Sequence, residues 1–297
     1  MRVVPSEMYS ELLSNLQSVR QNVNQDVVEA STGRSVNSLS DNPMAAGQLV
    51  ISNAQIAQVD EFSYSVSTVQ GSLNTADSAL NSVVSSLTQA ISVGTEAAGG
   101  TLSTSELQAL GVQVDQIQQQ IIGLANTTYQ GNYVFAGTAV STQPYDATGV
   151  YAGNMSVNNV AVGQGQTASL GLAGSTIFGA PAVAGQPDLT FQYLTQLSTD
   201  IKANNQNAIA TDITNVQSAL NNVIAQRSSY GDTLQQLNAD GTNLSQEKLT
   251  LQEYQTTLIG ADEAQVATDL SQSETTLQAA IAAASQVSQE SLINYLK

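Results

Sequence analysis

Histidine and cysteine are both missing from the 297 residues of this chain. Without cysteine there can be no disulfide framework, thiolate metal site or cysteine nucleophile. Without histidine the chain lacks the commonest general base and the commonest metal ligand. We therefore expect no metal ion, no other cofactor and no enzymatic activity.

Basic residues are scarce as well. Only 7 Lys and Arg residues stand against 24 Asp and Glu residues, which gives a net charge of −17 at pH 7. A protein that binds nucleic acid needs clustered Lys and Arg to neutralise phosphates, so we expect no nucleic-acid partner. Charged residues are just 10% of the chain, well below the roughly 25% of an average globular protein. A weakly charged surface suits a hydrated monomer, and it also lets neighbouring copies pack without stripping water from many charges.

Long apolar runs are absent too. No stretch approaches the roughly 20 apolar residues of a membrane-spanning helix, so we expect no membrane insertion. The first residues also lack the apolar segment that follows the basic start of a cleaved secretion signal. If the chain leaves the cytoplasm, we expect it to use a route that reads no cleaved signal.

Apolar residues instead recur in alternating steps of three and four along both ends of the chain. A sustained spacing of about 3.5 residues predicts a coiled-coil stripe. A Gly-rich, strand-like segment lies between the two striped arms. We therefore predict a mainly α fold, an elongated antiparallel coiled-coil or helical-bundle rod formed by the two arms, with a small β-rich inserted domain. The first stripe begins with Tyr9, Leu12, Leu16, Val19, Val23, Val27 and Ala30.

Local signals divide the arms into helices. Gly33 can take the left-handed conformation that ends a helix, and Asp41 or Asn42 can cap the next helix with Pro43 at its first position. Ser103 and Glu106 form a capping-box pattern. The predicted helices cover approximately residues 6–31, 43–98, 103–125, 191–202, 206–259 and 263–296.

These helices suggest three parts. Residues 1–45 with 263–297 form a terminal coiled-coil domain for assembly, residues 46–130 with 196–262 form a helical rod, and residues 131–195 form an outward-facing β-rich insert. The rod helices can bury one another, whereas a terminal pair of helices alone is marginal in water. We therefore expect the terminal stripes to contact neighbouring subunits through Leu12, Leu16, Val19, Val23, Leu277, Ile281, Leu292 and Leu296.

Candidate chemical sites are few. Gly163 and Gly165 resemble the start of a dinucleotide-binding loop, but the full motif requires a third glycine, a preceding strand and an opening helix. The residues after them have the pattern of further β-rich insert, so we interpret the two glycines as a turn. Asp262 and Glu263 are adjacent, and adjacent helix positions point in different directions. They suit the acidic first turn of the last helix better than a general-acid pair.

A resemblance to a known family rests on three segments. Residues 31–43 read STGRSVNSLSDNP, which resembles the S-T/S-G-K/R-x-I/V-N-x-x-S-D-D-P loop of bacterial flagellins and their junction proteins. Residues 227–234 and 259–264 are similar to two stretches in the carboxy-terminal arm of that family. The chain departs from the family pattern at Asn42, where a second Asp is usual, and at Gly260, where an acidic residue is usual. The loop residues that the resemblance marks for assembly are Gly33, Arg34, Asn37, Ser40, Asp41, Asn42 and Pro43.

Within that superfamily the chain is identified as a member of the hook-filament junction proteins. It begins Met-Arg-Val, residues 131–137 read GNYVFAG, and residues 291–296 read SLINYL. All three features resemble those of the junction branch. The runner-up is flagellin itself, which shares the arms and the loop. An unrelated class, a hydrolase acting on the cell wall, would need an acid pair in the insert, where Asp146 is nearly alone until Asp188.

The resemblance implies a purely structural role. Subunits of this family are exported unfolded, and outside the cell their terminal helices form the inner layer of a tube. The implied partners are further copies of the chain, a hook-associated protein on the hook side and flagellin or a second junction protein on the filament side. An export chaperone is implied as well. The implied location is extracellular, in the bacterial flagellum.

Overall fold

The computed structural model describes the backbone of residues 5–295 and the side chains of residues 10–286. Over these residues it is mainly helical, as predicted. It contains α1 (Pro5–Thr32), α2 (Pro43–Ala97), α3 (Thr104–Ala125), β1 (Thr128–Tyr129), β2 (Asn132–Tyr133), β3 (Asn159–Gly163), β4 (Gln166–Ser169), α4 (Gly174–Phe178), α5 (Leu189–Lys202), α6 (Gln206–Ile259) and α7 (Glu263–Tyr295). None of these described helices combines the length and the hydropathy needed to cross a membrane.

The chain divides into two compact units. Unit 1 combines residues up to Gln58 with residues from Glu247 onward, and unit 2 consists of Val59–Gln246. The long helices α2 and α6 each contribute to both units. The division into three parts predicted from the sequence remains a prediction.

The core of unit 2 is built from the stripes that the sequence shows. Apolar residues at three- and four-residue steps put one face of each helix inward, because an α-helix has 3.6 residues per turn. The capping box predicted at the start of α3 is present, with Ser103 and Glu106 bonded to each other's backbone. The fully or almost fully buried members of these stripes include Val66, Val69, Leu73, Leu80, Leu87, Leu107, Val114, Ile121, Ile209, Val216 and Val223.

Helices α2 and α6 are antiparallel in unit 2. Gln70 Nε2 donates to Asn238 Oδ1 at 3.0 Å. Further along α2, Asp77 accepts two bonds from Arg227, Nε to Oδ1 at 2.6 Å and Nη2 to Oδ2 at 3.2 Å. Residue numbers rise along α2 as they fall along α6, which defines the direction. Helix α6 continues without a chain reversal through Asp240 and Gly241, as expected from the unbroken phase of its stripe.

The insert carries two short antiparallel hairpins. In β1–β2 the two turn residues, Gln130 and Gly131, have φ values of 49° and 84°, the mirror-image turn whose twist suits a tight hairpin. Strands β3 and β4 pair from Asn159 with Ser169 to Gly163 with Gln166. The segment around Gly163 and Gly165 is thus a hairpin turn, as predicted. A ring cluster fills the interior: Phe135, Tyr145, Tyr151, Phe178 and Phe191.

The glycine at the end of the GNYVFAG stretch, Gly137, is required by the backbone. Its φ is +67°, a region that residues with a Cβ rarely adopt. A Cβ at this position would also lie 2.2 Å from the backbone oxygen of Asn154. Phe135, two residues earlier, is fully buried in the ring cluster. The stretch therefore serves both the packing and the backbone path at the entry to the insert.

Candidate assembly interface

The two arms of unit 1 are joined by a short backbone pairing. Helix α1 ends at Gly33, whose φ of +65° redirects the chain. Arg34 then pairs with Gly260 in an antiparallel bridge. On either side of it, Ser35 N donates to Ile259 O at 2.8 Å and Ala261 N donates to Gly33 O at 3.0 Å. The left-handed glycine predicted from the sequence thus directs the chain into contact with the other arm.

Gly260 lies very close to the backbone at the end of its own helix, α6. Its N–H donates to Thr256 O at 2.7 Å, and a Cβ on residue 260 would lie 2.3 Å from the same oxygen. That distance is far shorter than any real contact of a Cβ, and the obstacle is backbone. The departure from the family pattern at Gly260 therefore has a steric reason in this chain.

The loop between α1 and α2 is closed by Asp41. Its carboxylate accepts bonds from Asn37 N at 2.9 Å, Ser38 N at 2.7 Å and Ser38 Oγ at 2.7 Å. The hydroxyl of Ser38 and the two backbone N–H groups hold the pKa of Asp41 below its usual value. The hydroxyl of Ser38 also bonds that of Ser40 at 2.7 Å. A second bond, from Asn37 Nδ2 to Arg34 O at 2.7 Å, ties the loop to the bridge, while the Arg34 side chain is exposed.

Asn42 caps α2. Its Oδ1 accepts from Ala45 N at 3.1 Å, and Pro43 is the first residue of the helix. Asp41 and Asn42 therefore divide the two tasks, since the first closes the loop and the second caps the helix. Asn in place of the usual Asp preserves the cap.

A small apolar cluster holds the loop against both long helices. Val36 is buried with Ala45 of α2 and Ile259 of α6. Nearby, Tyr254 Oη donates to Gln48 Oε1 at 2.9 Å, and Gln255 Nε2 donates to Asn53 Oδ1 at 2.8 Å. Residues of three separated chain segments thus fix this end of α2. Ala46, Leu49 and Leu258 complete the cluster.

Helices α1 and α7 pack along each other beyond this joint. Asp262 starts α7 by accepting bonds from Ala264 N at 3.0 Å and Gln265 N at 3.2 Å. Glu263 lies in the first turn, as expected. The described residues that the pairing shields form one stripe per helix, Leu12, Leu16, Val19, Val23, Asp26 and Glu29 on α1 and Val266, Leu270, Ser273, Leu277, Ala280 and Ala284 on α7.

The end of the predicted α1 stripe is wrong. Val27 and Ala30 are exposed, and Asp26 and Glu29 take the inner positions. From Leu12 to Glu29 the inner positions follow one another at steps of four, three, four, three and three residues, so the inner face falls one residue behind the predicted stripe. The Oδ2 atom of Asp26 is buried with no hydrogen-bond partner among the described residues. Polar residues in the stripe weaken the pairing of these two helices by themselves.

Large apolar side chains remain on the outer faces of the pair. Leu13, Val27 and Val28 of α1 are 46%, 47% and 43% exposed, and Ile281 of α7 is 53% exposed. Of the predicted contact residues, Leu12, Leu16, Val19, Val23 and Leu277 are half-buried between the helices, whereas Ile281 points outward. The side chains of the other two, Leu292 and Leu296, lie outside the described residues, as does that of Tyr9, the first residue of the predicted α1 stripe.

The acids of the insert do not form a hydrolytic pair. Asp188 is buried and accepts from Tyr145 Oη at 2.7 Å and Ser175 Oγ at 2.8 Å. Burial raises the pKa of Asp188, and these two bonds oppose the rise. The Oδ1 atom of Asp146 accepts from its own turn, from Thr148 N at 2.8 Å and Val150 N at 3.0 Å. Each carboxylate therefore serves local structure.

Comparisons with known proteins agree with this geometry. Residues 6–140 match the sequence model of the bacterial flagellin N-terminal helical region, and residues 213–296 match that of the C-terminal helical region. Together these matches include both arms, the loop and the Gly260 joint. The chain therefore belongs to the flagellin superfamily.

Two relatives place the chain within the superfamily. It is 27% identical to flagellar hook-associated protein 3 of Salmonella typhimurium over 259 residues, 80% of this chain and 81% of that protein. It is 28% identical to the protein of the same name from Escherichia coli K12 over 232 residues, 70% of this chain and 72% of that protein. The crystal structure of FlgL from Bacillus cereus has the same fold, with a TM-score of 0.61 at 24% identity over 69% of this chain and 99% of that one. Within the superfamily the chain is a member of the hook-associated protein 3 group, structural proteins of the bacterial flagellum.

Proposed function

We propose that this chain is a structural subunit of the hook-filament junction, and that α1 and α7 are the helices through which neighbouring subunits associate. The observation that carries the proposal is the exposed apolar surface on a pair of helices that shield only a narrow stripe. Val27 and Ile281 leave about half of their side-chain surface in water. Full burial of a side chain of this size is worth about 1.5–3 kcal/mol, so burying the exposed half contributes about 1 kcal/mol for each residue in each subunit.

The proposed partners follow from the position of a junction. The chain associates with other copies of itself, with a hook-associated protein on the hook side and with flagellin or a second junction protein on the filament side. It is exported without a cleaved signal, aided by a chaperone, and works outside the cell in mechanical coupling without chemistry. The proposed assembly surface comprises the exposed apolar faces of α1 and α7 and the loop from Gly33 to Pro43, which sets the end of α1 against α6. The assembly residues predicted from the sequence on the two arms are Leu12, Leu16, Val19, Val23, Leu277, Ile281, Leu292 and Leu296.

The test is complementation of a strain that lacks this chain. Without the protein, we expect cells to keep their hooks and release flagellin into the medium. Wild-type protein restores filaments. The double variant Val27→Asp with Ile281→Asp does not, because it places charges where neighbours would remove water. The control, Asn24→Asp with Gln278→Glu, adds the same charges at other exposed positions of the same helices and restores filaments.

Two outcomes contradict the proposal. Normal filaments in cells that carry the Val27→Asp and Ile281→Asp variant would show that these faces are not part of the interface. Long filaments formed by the purified chain alone would assign it to flagellin, the alternative function. A junction piece meets different neighbours at its two ends, and contacts that do not repeat cannot propagate.

A further inference from the structure

Two buried carboxylates lie near the connection between α5 and α6 in unit 2. Asp200 is 7% exposed and Asp212 is 4% exposed. The Oδ2 atom of Asp212 has no hydrogen-bond partner among the described residues. A buried oxygen of this kind is unfavourable if it carries charge, so the arrangement requires a compensating group.

The two carboxylates differ in their hydrogen-bond donors. Gln196 Nε2 donates to Asp200 Oδ2 at 2.6 Å, and Asn205 Nδ2 donates to Asp200 Oδ1 at 3.1 Å. Both oxygens of Asp200 therefore accept from side-chain amides, whereas Oδ2 of Asp212 accepts from no described group. Burial, followed by the hydrogen bond and the charge of Asp200, raises the pKa of Asp212 to about 6.

Other charged groups on the adjacent helices are engaged or exposed. Lys202 of α5 is paired with Asp115 of α3. Helix α2 packs against the start of α6, since a Cβ on Gly94 would lie 2.9 Å from Ile213 Cγ1. The charged residue of α2 nearest this contact in sequence, Glu96, is exposed. The charge that acts on Asp212 is therefore that of Asp200.

We propose that Asp200 and Asp212 form a proton-binding site, in which one shared proton holds the joint between α5 and α6 in mildly acidic medium. The carboxyl O–H of Asp212 donates to the carboxylate of Asp200, which keeps its two amide donors. When the proton leaves, two buried negative charges face each other and oppose the pairing. A calcium ion would need six to eight oxygen ligands, whereas the groups turned toward Asp200 are N–H donors. This inference is independent of the proposed function.

The direction of the pH effect follows from linkage. The pKa of Asp212 is raised from 3.8 in the unfolded chain to about 6 in the folded chain. The folded chain therefore binds more proton between these two values and loses stability as the pH rises through them. Above about pH 6 the loss is complete and stays constant.

The test compares full-length wild type with Asp212→Asn in thermal unfolding at about pH 5 and about pH 8. We expect the melting temperature of the wild type to decrease from the lower to the higher pH, and that of the variant to decrease less. At the higher pH the variant should melt several degrees above the wild type. The control Asp232→Asn removes one charge from an exposed site of the same helix and keeps the wild-type pH dependence.

A second measurement keeps the proposal testable if the variant does not fold. In the wild type, hydrogen-exchange protection of the backbone amides of Asn205 and Ile209, corrected for the intrinsic rate, falls as the pH rises. Unchanged protection, or an equal pH dependence in wild type and a folded Asp212→Asn, overturns the proposal. So does stabilisation by millimolar calcium chloride in the wild type alone, which would assign the site to a cation.

Discussion

Replacing Gly260 with alanine tests the joint between the two arms of unit 1. The added Cβ would lie 2.3 Å from Thr256 O, the oxygen that already accepts the N–H of Gly260 at 2.7 Å. Thr256 belongs to the last turn of α6, so its carbonyl cannot swing aside as the end of a flexible side chain could. The alanine must therefore displace the backbone at residue 260.

The size of the effect follows from the bonds that depend on this position. They are the bonds from Gly260 N to Thr256 O, from Ala261 N to Gly33 O and from Ser35 N to Ile259 O. Each contributes a net 0.5–1.5 kcal/mol or so. Losing two or three of them should lower the free energy of unfolding by about 2–4 kcal/mol.

Two glycines of the same unit provide matched controls. Gly33 has a φ of +65° and open space around its Cβ position, so Gly33→Ala should cost about 1–2 kcal/mol from backbone strain alone. Gly47 is helical with open space, and Gly47→Ala should stabilise the chain by about 0.5–1 kcal/mol.

Urea unfolding gives the order of stability for the three variants. Hydrogen exchange over residues 33–36 and 259–262 shows whether the loss is local to the joint. If Gly260→Ala is as stable as the wild type, or less harmful than Gly33→Ala, then the close approach at residue 260 does not govern the joint and the reasoning fails.

Two further predictions concern the loop and the insert. The pKa of Asp41 lies below its ordinary value of 3.8. The bonds to its carboxylate therefore stabilise the loop above pH 3.8 and are lost as the pH falls through the lowered pKa of the folded chain. The NMR shift of the Ser38 amide should follow this loss in the wild type and not in Asp41→Asn. Gly137→Ala adds a clash with Asn154 to an unfavourable φ, whereas Gly131→Ala adds an unfavourable φ in open space. The first should therefore lower the melting temperature of the insert more than the second, measured by tyrosine fluorescence, and equal effects would contradict the clash.

The helices could be predicted because their signals are local. Predicted and observed limits agree within two residues for α1, α2, α5 and α6. The stripes of α2 and α6, the Ser103 cap and the left-handed Gly33 all depend on residues within a few turns of one another. The error at Val27 and Ala30 arose because the apolar residues stand at those two positions, whereas the inner face of α1 passes through the polar Asp26 and Glu29.

The joint and the buried acids could not be predicted in this way. The sequence indicates that Asp41 lies in a loop, but nothing local shows that its carboxylate accepts three bonds there. The contact of Val36 with Ile259 joins residues on opposite arms of the chain, and so does the bridge between Arg34 and Gly260. Asp200 and Asp212 are twelve positions apart in the sequence, and only the turn between α5 and α6 brings their carboxylates together.

Three of the hydrogen bonds between α2 and α6 join electrically neutral groups. Gln70 with Asn238, Tyr254 with Gln48 and Gln255 with Asn53 join amides and a phenol. Dissolved salt weakens exposed ion pairs, because it screens charges with a Debye length of about 10 Å at ordinary ionic strength. It has little effect on hydrogen bonds between uncharged groups. Salt therefore has little effect on these three bonds between the two long helices, whereas it screens the ion pair of Arg227 with Asp77.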